Sequence, residues 1–130
     1  MSTPAPAISR DLPRAERLLR ILERDGRECV WCRRELEAGG RLASVEHVIP
    51  RLKGGPAWLD NEVAACRGCN RARGHAAPAD WLRDCEARGL APNRAVIAAR
   101  LVELRDAIAE RGGQRRARPY LDGQLRRLGR

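Results

Sequence analysis

Two short cysteine pairs constrain this chain more than anything else in it. Cys29-Val-Trp-Cys32 and Cys66-Arg-Gly-Cys69 each hold two residues between their sulfurs, and 33 residues separate the pairs. A C-x-x-C stretch folds into a tight turn that aims both sulfurs at one point. Two such turns complete a closed tetrahedral set of four thiolates, the donor set of a structural zinc ion. Gly68 eases the second turn. A redox dithiol is the competing reading of one pair, and it leaves the other unexplained. The chain also needs a staple. Its 130 residues include no Phe, three Trp and one Tyr, so Leu, Ile, Val and Ala must build most of the core. Small cores of this kind are often completed by a metal, and a zinc site contributes on the order of 10 kcal/mol to folding. Cys85 stands apart and reads as a small buried residue near Leu82.

Around the pairs the chain divides into four stretches. Residues 1–28 combine a Pro- and Ala-rich start with an amphipathic helix. Asp11 is its expected cap, Pro13 lies in its first turn, Leu18, Ile21 and Leu22 form its apolar face, and Gly26 stops it. Residues 29–75 form the cysteine-bearing core. Within it Leu42–Val48 is expected as a strand and Glu62–Ala65 as a second, very short strand, with turns at Gly39-Gly40 and Gly54-Gly55-Pro56. A helix is expected from Asn70 onward. Residues 76–112 carry two more helices. One is led by Pro78 and ends near Gly89; the other is capped by Asn93 and striped with Val96, Leu101, Leu104 and Ile108. Residues 113–130 read as a basic tail with one short helical turn at most, its six Arg opposed only by Asp122.

The charge points to a polyanion. The net charge is +9, and of 26 basic residues only Lys53 is a lysine. Arginine grips phosphate in a forked geometry and stays charged when partly buried. A genome rich in Arg codons would explain Arg over Lys, but not the surplus of bases over acids. No apolar run is long enough to span a bilayer, and nothing near Met1 resembles a secretory signal. The expectation is a cytoplasmic protein with no membrane partner.

Between and around the cysteine pairs lie Glu46-His47-Val-Ile-Pro50, then Gly54-Gly55, Asn61, and Cys66-x-x-Cys69-Asn70-Arg-Ala-Arg73-Gly74. This run resembles the HNH (His-Asn-His, ββα-metal) endonuclease family over residues 29 to 74. The family pattern is an acidic residue and His, two apolar residues and Pro, a Gly-Gly loop, an Asn, then C-x-x-C-N-x-x-K-G. The resemblance implies an α+β fold, a small zinc-stapled ββα-metal core flanked by N- and C-terminal helices. It implies that His47 is the general base that activates water, and that Glu46 and Asn70 hold a catalytic divalent ion, Mg²⁺ or Mn²⁺. Asn61 would bind the loop and keep His47 oriented. Arg71 and Arg73 would hold phosphate, with Arg51 and Lys53 as further nucleic-acid contacts. The product would be a 5′-phosphate and a 3′-hydroxyl.

Two points of chemistry qualify the carry-over. Adjacent strand residues face opposite ways, so Glu46 and His47 serve one site only if the strand twists or ends there. Several positions also depart from the pattern: Asn70 stands where His is also used, Arg73 where Lys is usual, and Glu62 where an apolar residue is common. His75 is either an additional ligand or a solvated loop residue. The reading is therefore a metal-dependent endonuclease acting on DNA, with RNA as a possible substrate. The rival is a non-catalytic zinc-containing module that binds nucleic acid through its arginines.

Overall fold

The structure, a computed structural model, describes residues 12–129. Met1–Ser9 and the expected cap Asp11 lie outside them. The first helix, α1, spans Arg14–Asp25 and starts directly after Pro13. Leu18, Ile21 and Leu22 are its buried face, as their spacing of three and four predicts. Gly26, at φ +103°, turns the chain out of the helix.

Strands β1 (Ala43–His47) and β2 (Glu62–Cys66) pair antiparallel, from Ala43 opposite Cys66 to His47 opposite Glu62. All of β2 is buried, and α1 packs on both strands. Helix α2 (Arg67–Arg73) follows β2 without a loop. It starts three residues earlier than the sequence suggested. The reason is Cys66: its sulfur accepts the backbone N–H of Cys69 and so serves as the helix cap. The order strand, long loop, strand, helix is the ββα arrangement, and the fold is α+β.

Helices α3 (Pro78–Ala87) and α4 (Arg94–Arg111) lie where the sequence puts them, and the Asn93 side chain caps the Val96 N–H. The buried stripe of α4 is Ile97, Leu101, Leu104 and Ile108, with Val96 only half-buried at its edge. The C-terminal segment differs from the expectation. Ala117–Leu128 is a twelve-residue helix, α5, that packs on α4 and α3 and buries Ala117, Leu121 and Gln124. These apolar and amide positions recur every three or four residues, so a helix can sink one side and leave its arginines in water. One core joins all of this, with Trp31 meeting Trp81 edge to face at 6.4 Å between ring centres. Among the described residues, no helix is long and apolar enough to cross a membrane.

Candidate active site and metal centres

The four paired cysteines converge. Their sulfurs all lie within 4.8 Å of one another, and Cys32 Sγ stands 3.9 Å from Cys66 Sγ. Zn–S bonds of about 2.3 Å in a tetrahedron put sulfurs about 3.8 Å apart, so the cluster fits one zinc ion. The chemistry agrees. Burial pushes the Cys29 thiol up to about 11. It also raises Cys69, with the charges of the neighbouring cysteines adding to the effect. Four thiolates packed this closely need a cation among them. The first pair sits on a turn in which Arg33 takes a left-handed φ of +67°. The second sits at the junction of β2 and α2, so a shared ion would fix α2 against the Cys29–Cys32 turn. Cys85 is fully buried in the core, and burial lifts its thiol to about 11.

On one face of β1 lie Ser44 and Glu46. The Glu46 carboxylate is buried. It accepts a short hydrogen bond from the Trp31 indole and pairs with Arg73 at 3.4 Å. Burial raises its carboxyl group above the ordinary glutamate value, and the Arg73 charge offsets only part of this. Its second oxygen, Oε1, is buried without a hydrogen-bond partner. Asn70, in α2, donates to the Ser44 hydroxyl at 3.0 Å and so lies over the same face. Arg73 takes a different part from the phosphate contact expected of it. Its guanidinium is buried, donates to the carbonyls of His47, Val48 and Ala76, and rests 5.2 Å from the Trp31 ring centre. With its donors spent inside, it ties α2 to the end of β1.

His47 emerges on the other face. Its side chain is 22% exposed, and Nε2 lies 3.4 Å from the buried carboxylate of Glu62, its cross-strand partner. Arg17 of α1 reaches the same carboxylate at 3.6 Å. The structure thus groups Glu46 with Arg73 and Trp31, Asn70 with Ser44, and His47 with Glu62. Strand alternation sets the first two groups on one face and the third on the other, but His47 is the last residue of β1, so the condition that the strand end at this point is met. In the sequence Glu62 stands out only as a departure from an apolar position. Its signal was that misfit, which becomes meaningful once the register sets it opposite His47.

Asn61 closes the loop after β1. Its side chain accepts the Ile49 N–H at 2.8 Å and donates to the carbonyls of Ile49 (3.1 Å) and Pro56 (3.0 Å). Its own carbonyl accepts the Val48 N–H at 2.8 Å. Gly55 is obligatory in this clasp, because a Cβ there would lie 1.8 Å from the Ile49 oxygen. Arg51 and Lys53 are exposed on this loop, and His75 is exposed after α2.

A cleft of about 370 Å³ runs beside β1, lined by Arg14, Ser44, Val45, Arg67, Asn70 and Arg71. The three arginines come from α1 and α2, and none of them forms an ion pair among the described residues.

Residues 29–85 match the HNH endonuclease family. The match reaches from Cys29 to Cys85 and contains β1, β2, α2 and most of α3. No curated protein matches the chain by sequence. Among solved structures, the Type II-C Cas9 enzyme from Actinomyces naeslundii is similar, with a TM-score of 0.54 and 24% identity. The likeness covers 95% of this chain and 12% of that one. It is a likeness of fold, and it extends beyond the HNH segment to the helices on either side.

Proposed function

We propose that this chain is a metal-dependent endonuclease that hydrolyses phosphodiester bonds in DNA, with RNA as a further possible substrate. One observation carries the reading. Inside the HNH segment, His47 sits partly exposed at the end of β1, next to a loop whose backbone Asn61 clamps. A partly exposed imidazole held in this way suits removal of a proton from an attacking water.

Glu46 and Asn70 would hold the catalytic ion. Both offer oxygen donors over one strand face, and Glu46 Oε1 is a buried oxygen lacking a partner. Hard oxygen donors in small number suit Mg²⁺ or Mn²⁺, which keep several waters. When bound, such an ion would offset the charge on the phosphate and on the leaving oxygen. The arginine cleft supplies the strand contact: Arg14, Arg67 and Arg71 present unpaired charge beside Asn70. Arg51 and Lys53, exposed after β1, would add further contacts. The four-cysteine cluster would carry structural Zn²⁺. A reducing compartment such as the cytoplasm suits it.

The Glu46–Arg73 pair favours a second reading. A carboxylate already matched by a cation has less need of a metal, as in a non-catalytic zinc-containing module that binds nucleic acid. Nicking of supercoiled plasmid across a series of Mg²⁺ and Mn²⁺ concentrations separates the two. The expected result is metal-dependent nicking that His47→Ala abolishes at every concentration. Glu46→Ala and Asn70→Ala should recover part of their activity as metal rises. Wild-type protein that binds DNA tightly and cuts with neither ion would establish the binding module instead.

A further inference from the structure

Glu62 is a fully buried acid in the middle of a small molecule. A buried carboxylate is costly unless its charge is matched. Two partners meet it from different elements: Arg17, from α1, at 3.6 Å and His47, directly across the β1–β2 ladder, at 3.4 Å. Of the two ring nitrogens of His47, Nε2 is the one enclosed in the protein; it lies 3.4 Å from this carboxylate, within ion-pair range though outside hydrogen-bond geometry, and takes no other hydrogen-bond partner among the described residues. The exposed part of the ring therefore belongs to the side that carries Nδ1.

A neutral imidazole has one N–H and one lone pair, and the partner of one nitrogen decides the state of the other. A carboxylate accepts and cannot donate. An Nε2 facing it is stabilised as N–H, which leaves the lone pair on Nδ1. We propose that Glu62 is a positioning residue for His47. It holds the ring in the Nε2–H tautomer, so that the basic nitrogen is the one turned toward solvent and substrate, while Arg17 compensates the carboxylate. The inference rests on reading His47 as the base. It assigns Glu62 a task that the apolar residue common at this position could not perform.

The test reads the tautomer directly, on the full zinc-loaded chain. ¹⁵N-detected NMR of His47, at a pH where its ring is neutral, distinguishes Nε2–H from Nδ1–H. The wild type should show Nε2–H predominantly. Glu62→Leu should shift the population toward Nδ1–H or a mixture. Glu62→Gln should retain Nε2–H, because the amide oxygen still accepts. Single-turnover cleavage should fall about tenfold to a hundredfold in Glu62→Leu, with DNA affinity within about twofold of wild type, and Glu62→Gln should recover much of the rate. A wild-type His47 that is mainly Nδ1–H overturns the proposal, whether or not Glu62→Leu folds. So does a folded Glu62→Leu protein with an unchanged tautomer. If the wild type shows the expected tautomer yet cuts no DNA, the nuclease reading falls and the orienting contact stands.

Discussion

Asn61 holds the loop after β1 with three side-chain hydrogen bonds, and the cost of losing them follows from burial. Its amide joins the Ile49 N–H and the carbonyls of Ile49 and Pro56, all away from water. Asn61→Ala leaves these groups unpaired, at about 1–3 kcal/mol for each buried orphan. The expected loss is about 2–4 kcal/mol in chemical denaturation. Cleavage should also fall below the unfolding midpoint, because the backbone that carries His47 is no longer held. A variant as stable as wild type would mean that the clasp is replaced by water. At this scale the sequence is legible where one residue type has one use: Asn61 ahead of a strand, and the Gly pair. It misled at Arg73, where a basic residue in a helix after Asn70 suggested phosphate. Only the packing of Trp31, Glu46 and the His47 carbonyl around that guanidinium shows that it is spent inside.

At the scale of elements, the Cys29–Cys32 turn and the β2–α2 junction depend on one another through the sulfur cluster, since few direct hydrogen bonds cross between them. Cys66→Ser should remove the ion and with it much of the folding free energy, on the order of 10 kcal/mol in a site of this type. The variant is expected to purify with far less than one zinc per chain and to lack a cooperative melt. A cooperative melt like that of wild type would mean that the core needs no ion. Helix α5 makes the opposite point about legibility. The cysteine spacing was readable because metal geometry leaves few alternatives. The six arginines of the last segment concealed a helix whose buried side is only Ala117, Leu121 and Gln124. The period was present, but a narrow apolar stripe among many charges is a weak signal, and the face of α4 that receives it could not be known in advance. The consequence is measurable. Leu121→Ala should cost about 2–4 kcal/mol as a buried truncation, whereas a solvated tail would make it neutral. Thermal melting of the two proteins decides between them.

Across the whole molecule, the question is whether nucleic acid reads the net charge of +9 or its placement. The sequence could supply the sum but not the map, because ion pairs between distant residues cancel some charges and leave others. Arg127 is engaged by Asp80, and Arg111 by Asp60. Arg14, Arg67 and Arg71 keep their charge and share one cleft beside Asn70. The exposed Arg115, Arg118 and Arg126 keep theirs as well, on or next to α5. Two triple Arg→Ala variants, one of each set, remove the same charge from different places. In a His47→Ala background, which on the proposed mechanism should bind without cutting, duplex DNA affinity can be followed as salt is raised. Each phosphate contact contributes about 0.9 to the slope of log affinity against log salt. Removing the cleft arginines should therefore flatten the slope by about 2 to 3, while the α5 set should change it by less than about 1. Equal changes from both sets would mean that DNA responds to total charge alone, and that the cleft beside β1 is not where the strand lies.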